Sequence, residues 1–402
     1  MSGMKVTPHG YDFNPVHAAL KRYVDGNILA GASSAVLVGQ DLVDLHCTGW
    51  ANKEQGILMR PDHIFRVYSN TKLVTSIAVL LLLDEGRFEL DDPIGPFIPQ
   101  LAKRFVLKPG ATELDDVEPA HGPITIRHLL SHQSGLSYGL LDPGTLIYKA
   151  YSARKVLSAH TTLAEKMDAL AELPLLFHPG EGWEYSVATD VLSHLVEVVS
   201  GQPFDAFLQS RIFARLGMVD TGFVIPPEHH DRLAGLYMGA DLASPMKPGL
   251  TRNDNAPYPQ ANLKPFAWLS GGGGLVSTVH DTLALLRSLM PGGPDLLKPE
   301  TIALMMSNQL PDQRWIKFPR FGELPGKGFG LGGAVTLAPS RFDPPASAGE
   351  FHWGGLAGTH WWISPQHHMA GVLMTQRHMA FWHPFSFEIK QGIYHAVLSR
   401  QG

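Results

Sequence analysis

Arg66-Val67-Tyr68-Ser69-Asn70-Thr71-Lys72-Leu73-Val74 runs straight on into Thr75-Ser76-Ile77-Ala78-Val79-Leu80-Leu81-Leu82-Leu83. The stretch contains Ser-x-x-Lys at the mouth of an apolar helix. Residues three apart on a helix share a face, so a helix beginning near Ser69 sets the Lys72 ammonium beside the Ser69 hydroxyl. A serine hydroxyl is a poor nucleophile unless a base stands next to it. The start of a helix adds backbone N–H donors and a partial positive charge. The tetrapeptide alone also fits a surface serine and lysine. The helix behind it is apolar nearly all round, which predicts burial in a core.

Outward from that stretch, 402 residues suffice for one large domain with an insertion or for two domains. With 44% hydrophobic and 17% charged residues, the chain has an ordinary soluble balance. The net charge of −5 and the scattered basic residues give no footprint for nucleic acid. The single Cys47 rules out an internal disulfide and any cysteine cluster for a metal. Met1-Ser2-Gly3-Met4-Lys5-Val6-Thr7-Pro8 lacks the apolar core of a signal peptide. The longest apolar run, Ile77 to Leu83, falls short of the roughly 20 residues that span a bilayer. The expected location is therefore the cytoplasm, with no membrane partner.

Val16, Leu20, Tyr23 and Val24 predict an amphipathic helix ended by Gly26. Ser34–Val38 and Leu42–Cys47 read as a hairpin joined by Gly39-Gln40-Asp41. Helical patterns then dominate: one with Leu163, Met167 and Leu170, one with Val191, Leu195 and Val199, and one from Phe204 to Leu216. Residues 218–268 read as loop. Strand-like runs return near Gly330–Val335, Glu350–Trp353, Thr359–Ile363 and Gly371–Met374, before a closing helix around Phe387–Val397. The expected fold is α/β (α+β): an antiparallel sheet flanked by helices, built from both chain ends, plus a mainly helical insertion. The expected division is 1–88, 89–264 and 265–402.

Two further motifs carry chemistry. Trp183-Glu184-Tyr185-Ser186-Val187 places a phenol at the mouth of a helix. A free phenol has a pKa of about 10, so about one part in a thousand is ionised at pH 7. A neighbouring cation raises that fraction. Lys72 could be that cation, with Tyr185 as base toward Ser69; a tyrosine packed in the core fits the pattern equally. His352-Trp353-Gly354-Gly355-Leu356-Ala357-Gly358-Thr359 places glycines beside a strand, where a ligand can approach the backbone. One N–H there, with that of Ser69, would make a two-donor oxyanion hole. A glycine-bulged hairpin with a buried Trp353 is the plainer reading.

Together these motifs resemble the serine β-lactamase and penicillin-binding-protein superfamily, closest to the family VIII carboxylesterases, over nearly the whole chain. Leu90-Asp91-Asp92-Pro93, His128 to Leu136, Tyr185 to Leu192 and Gly271-Gly272-Gly273-Gly274-Leu275-Val276-Ser277-Thr278 add to the resemblance. It implies a β-lactamase/transpeptidase-like fold with Ser69 as acylated nucleophile and Lys72 and Tyr185 managing its proton. Which of the two takes the proton stays open in such sites. A lysine neutral at pH 7 must lose about three of its usual 10.4 pKa units, roughly 4–5 kcal/mol. Lys72 is accordingly read as a cation that tunes Tyr185.

Two positions depart from the β-lactamase pattern. Val187 stands where those enzymes carry Asn, and Trp353 where their last triplet begins with Lys. Val187 loses an amide that could bind a peptide-like side chain. Trp353 offers an apolar face and no charge. Both changes suit an uncharged ester rather than a penicillin. His352 is the other candidate for the first place of the triplet. With Trp353 there, followed by Gly354 and Gly355, the second oxyanion N–H belongs to Leu356.

Gly135-Leu136-Ser137-Tyr138-Gly139 matches G-x-S-x-G, but Ile126–Leu130 before it reads as helix and Pro143-Gly144 soon follows, so the strand–turn–helix elbow is absent. Ser137 and Tyr138 are expected in a turn lining the cleft. Gly328-Phe329-Gly330-Leu331-Gly332-Gly333 matches G-x-G-x-x-G without the β-turn-helix unit that dinucleotides need. The neighbouring pairs His229-His230 and His367-His368 cannot face one metal together. No metal or cofactor is expected. The expected activity is hydrolysis of short-chain carboxylic esters through an acyl-enzyme, acting on a small molecule. A β-lactamase, a D-Ala peptidase, an acyltransferase, a non-catalytic binding protein and a homo-oligomer stay open.

Overall fold

The strand-like runs at the two ends of the chain pair into one sheet. In the computed structural model, which describes residues 5–139, 144–319 and 322–399, the sheet has eight strands. From edge to edge they are Lys327–Phe329, Ala334–Thr336, Phe351–Gly354, His360–Ser364, Met369–Thr375, Gly31–Val38, Asp41–Asn52 and Ile57–Leu58. Each runs antiparallel to its neighbour. The first and last parts of the chain therefore meet at the centre, where Ala35 stands opposite Val372. Pro143, cited above as a breaker, and Met1–Met4 lie outside the described residues.

Side chains alternate across a strand, so each strand feeds two cores. Met369 and Leu373 join Val36 and Val43 under the two terminal helices, Asn14–Asp25 and Pro384–Leu398. Ala370, Val372 and Met374 face the larger core, which contains the helix Thr71–Asp84. Every residue of that helix from Thr71 to Leu82 is buried, as its apolar composition predicts. The helix Val279–Ser288 packs on the same side, against Met369–Thr375 and Gly31–Val38.

The helical stretch contains Ile126–Leu130, Leu146–Ala153, Leu163–Ala171, Ala188–Ser200 and a helical run from Phe204 to Leu216 that passes through a π turn at Gln209–Phe213. Gly201 and Gly217 end the last two in the left-handed conformation. Residues 218–268 are less featureless than expected: they contain the turn Pro227–Arg232 and the strand pair Tyr237–Gly239 with Leu250–Arg252. These elements are too short to leave a periodic signal. Among the described residues, no helix is long and apolar enough to cross a membrane.

The G-x-G-x-x-G stretch is the hairpin between Lys327–Phe329 and Ala334–Thr336, not a nucleotide loop. Gly332 has φ +104° and lies against the Thr71–Asp84 helix, where an added Cβ would stand 2.6 Å from Ser76 Cβ. Gly332→Ala is expected to lower unfolding stability by about 2–4 kcal/mol, from left-handed strain and overpacking together. Denaturant unfolding measures this; an unchanged midpoint would show that the hairpin is not pressed on the helix.

Candidate active site

Ser69 does not sit inside the α-helix. It belongs to a 3-10 turn, Tyr68–Asn70, and the helix proper starts at Thr71. Tyr68 has φ +44°, a left-handed conformation that costs a non-glycine residue about 1–3 kcal/mol. This kink turns the chain from the short strand Phe65–Arg66 into the helix and leaves Ser69 half-buried at the corner. The Tyr68 ring is held at the kink, its hydroxyl 3.4 Å from Ala256 O. Phe65–Arg66 pairs with Val276–Ser277, which brings the four-glycine run alongside the same corner.

Lys72, 1% exposed, reaches back along the first turn. Its Nζ lies 3.5 Å from Ser69 Oγ and donates to Gly272 O at 2.6 Å. Tyr185 arrives from the loop before the helix Ala188–Ser200, and its hydroxyl stands 2.7 Å from Ser69 Oγ. The Lys72 ammonium lies over the Tyr185 ring, 4.6 Å from its centroid. The three groups expected to meet are thus in one place. The shorter contact to Ser69 is the phenol, not the amine.

The loop that presents Tyr185 is held from below. His132 adopts φ +59° and its Nδ1 accepts the Ser186 N–H at 3.3 Å. Burial, with Lys72 adding to it, keeps this imidazole well below the usual histidine range, hence neutral. The Tyr138 ring stacks on Tyr185 with 5.6 Å between centroids and 6° between planes. Burial, with the charge of Asp190 adding, raises the Tyr138 phenol well above its ordinary value. Burial likewise pushes Tyr68 up to about 12. Neither phenol is placed to act as a base at neutral pH.

Ser137 is fully buried; its N–H donates to Tyr151 Oη, and the next helix begins only at Leu146. It is not the exposed serine of a nucleophile elbow; the turn that holds it meets the site through Tyr138, which stacks on Tyr185. Val187, 1% exposed, turns its side chain into the core while its N–H donates to Ser137 O.

Trp353 and His352 point to opposite faces of their strand. The Trp353 ring is 5.4 Å from Tyr185, with Phe318, Phe329 and Phe381 around it. His352 faces away, toward the charge of Lys390 on the C-terminal helix. Of the two, Trp353 is therefore the residue on the Ser69 side. Beyond Trp353, Gly354 leads to a tight turn in which the Gly355 N–H donates to Thr359 O at 2.6 Å. Thr359 Oγ1 donates to Val67 O at 3.1 Å, which ties this turn to the backbone just before Ser69. A Cβ on Gly355 would collide with Val67 O, so only glycine permits the approach. Leu356 follows, packed with Tyr68 and Leu236.

Asp190 was not singled out from the sequence. It is 2% exposed, and its Oδ1 accepts from Trp268 Nε1 at 3.2 Å and from the Gly272 N–H at 3.4 Å. A Cβ on Gly272 would stand 3.1 Å from Asp190 Oδ2 and 3.5 Å from Lys72 Nζ. The carboxylate and the ammonium therefore border one small gap that glycine leaves open. Burial raises the Asp190 carboxyl above the usual carboxylate range, and the Lys72 charge opposes that rise. Its only sequence signal was membership in Tyr185 to Leu192, a stretch that resembled the family.

A sheet joined from both chain ends, with Ser-x-x-Lys at its junction with the helices, is the architecture of the β-lactamase and penicillin-binding-protein fold. The chain belongs to the beta-lactamase family, whose model matches residues 16–380. Within it the chain is similar to esterase EstB of Burkholderia gladioli, 32% identical over 355 residues, 86% of each chain. Lovastatin esterase of Penicillium rubens is 33% identical over 356 residues, covering 84% of this chain and 85% of its own. Among solved structures, EstCE1, described as a hydrolase with promiscuous acyltransferase activity, superposes with a TM-score of 0.78. It is 26% identical and covers 94% of this chain and 97% of its own.

Proposed function

We propose that this chain is a serine esterase that hydrolyses short-chain, uncharged carboxylic esters through an acyl-enzyme on Ser69. The observation that carries the reading is the 2.7 Å contact between the Tyr185 hydroxyl and Ser69 Oγ, beneath which Lys72 lies 4.6 Å from the ring centroid. Tyr185 as phenolate takes the Ser69 proton while Oγ attacks the ester carbonyl. The oxyanion meets the N–H groups of Ser69 and Leu356. Tyr185 returns the proton to the departing alcohol. Water then attacks the acyl-enzyme as Tyr185 takes its proton, and Tyr185 returns that proton to Ser69 Oγ as the acid leaves. Trp353, Gly354, Gly355, Val187 and Tyr138 shape the pocket, the first and last as apolar walls. Residues 89–264 act as the insertion that carries Tyr185 to a nucleophile held by 1–88 and 265–402. The cytoplasm is the expected compartment.

The likeness to esterases at 32% and 33% identity supports this reading over a β-lactamase. So do the lack of charge at Trp353, where a penicillin carboxylate would need a partner, and the lack of a side-chain amide at Val187. Acyl transfer to an alcohol acceptor uses the same intermediate, and the likeness to EstCE1 favours it as a second activity. The test is to label the nucleophile with a fluorophosphonate, or to trap the acyl-enzyme with an activated ester, and to locate the modified residue by peptide mass. Attachment is expected on Ser69; attachment on Ser137 would overturn the assignment. On the purified protein, kcat/KM for p-nitrophenyl butyrate should exceed that for nitrocefin by at least about a hundredfold, the worth of a few kcal/mol in the transition state. Equal values would return the chain to the β-lactamases.

A further inference from the structure

A second set of chemically capable side chains lies outside this site, where the sequence analysis expected no metal. His121 follows the short strand Val117–Pro119, which carries Glu118; His178 and Glu181 come from a turn almost sixty residues on. The two imidazoles stack in parallel, with 3.5 Å between centroids and 10° between planes. One nitrogen from each and one Glu181 oxygen lie within 4.8 Å of one another. We propose that His121, His178 and Glu181 bind one borderline divalent transition-metal ion of the zinc type.

The hydrogen bonds decide where the lone pairs are. The His121 backbone N–H can only donate, and it points at His178 Nδ1 from 3.3 Å. Nδ1 therefore carries the lone pair, and the His178 proton is on Nε2, which faces Glu118 Oε1 at 3.2 Å. A carboxylate behind the far nitrogen of an imidazole is the arrangement that orients histidines toward metals and raises their basicity. His121 Nδ1 lies 3.0 Å from Glu181 Oε1, so those two donors already converge.

The His178 side chain is 11% exposed, whereas His121 is 67% and Glu181 56%. One ligand is thus fixed and two can swing. Zinc ligands at about 2.0–2.2 Å from the ion stand roughly 3.3–3.6 Å apart at the tetrahedral angle. The swing needed is within reach of the two exposed side chains. The ion displaces the long N–H contact to His178 Nδ1 and the His121–Glu181 hydrogen bond.

Two imidazole nitrogens and one carboxylate oxygen select Zn²⁺, Ni²⁺ or Cu²⁺ over Ca²⁺ or Mg²⁺, which want oxygen alone. Water completes the shell. The turn itself is anchored: the Gly180 N–H donates to Gln133 O at 2.8 Å, and Arg314 donates to Gly180 O at 2.6 Å. Glu181 leads directly into Trp183 and Tyr185. The ion would clip the 117–121 segment to the base of the Tyr185 loop, a stabilising role and not a catalytic one.

The test is calorimetric titration of metal-stripped protein with ZnCl₂, together with its thermal unfolding. One equivalent of Zn²⁺ should bind, raising Tm, and Mg²⁺ should do neither. His121→Ala, at an exposed position that folding does not need, should abolish both effects. Glu118→Gln, which touches no ion, should weaken binding by about 10–100-fold. His229→Ala should change nothing. Equal Zn²⁺ affinity in wild type and His121→Ala, or no binding by the wild type, overturns the proposal.

Discussion

Ser69→Ala is expected to lower ester turnover by about 10⁴-fold or more, because removing the nucleophile leaves only binding and the oxyanion donors. Tyr185→Phe should cost about 10²–10⁴-fold, the usual worth of a positioned base. The two losses should not add. Tyr185 lies 2.7 Å from Ser69 Oγ and has no proton to move once that oxygen is gone. The double variant should therefore match Ser69→Ala within error, in single-turnover assays with a p-nitrophenyl ester. Multiplicative losses would mean that Tyr185 acts apart from Ser69, on substrate binding alone. Far-ultraviolet circular dichroism of each variant should match wild type, since Ser69 is only half-buried and Phe fills the Tyr185 ring site.

Asp190→Asn is expected to lower kcat by about a hundredfold, equivalent to roughly 2.7 kcal/mol. The amide is nearly the same shape and can still accept from Trp268 and Gly272, so packing survives. What is lost is the negative charge across the Gly272 gap from Lys72. The sign of the pH effect follows from the raised carboxyl value of Asp190. Above that value the carboxylate is charged and holds the Lys72 cation in place. As pH falls through it, Asp190 takes a proton, its charge is lost from beside Lys72 and activity drops. The groups around it are Lys72, Lys166, Tyr138, Ser270, the Gly272 N–H and Trp268. In Asp190→Asn the rate should be low throughout, and the part of the acid limb due to Asp190 should vanish. An acid limb unchanged in position and size would show that Asp190 only fills space.

Much of this site was legible in the chain as written. Ser69 and Lys72 are local: three residues apart at a helix start, their proximity follows from helical geometry. Burial of Thr71–Leu82 follows from its composition, and the hairpin from the two β-rich runs Ser34–Val38 and Leu42–Cys47 joined by Gly39-Gln40-Asp41. The structure refines the reading where short range and long range part. The sequence predicts a helix that begins near Ser69; the left-handed Tyr68 opens a 3-10 turn that holds Ser69, and the α-helix follows at Thr71. The sequence also predicts Ser137 in a turn lining the cleft; the Ser137 side chain is buried with its Oγ 3.5 Å from Glu184 Oε1, and it is Tyr138 of the same turn that stacks on Tyr185.

Sequence by itself determined the chemistry available: a hydroxyl, an amine and a phenol on helix-flanked motifs, an uncharged Trp353 and Val187, and a sheet split between the chain ends. Only the tertiary structure decided which of those groups meet. The choice of Trp353 over His352 rests on which strand face turns to Tyr185. Asp190 comes to border Lys72 through Gly272, from a segment eighty residues distant, where an added Cβ would press on the carboxylate. His121 and His178 are unremarkable in sequence and stack only when their loops pack together. Local periodicity encodes contacts within one element; contacts between elements depend on register, glycine clearance and strand facing, which no window of neighbouring residues contains.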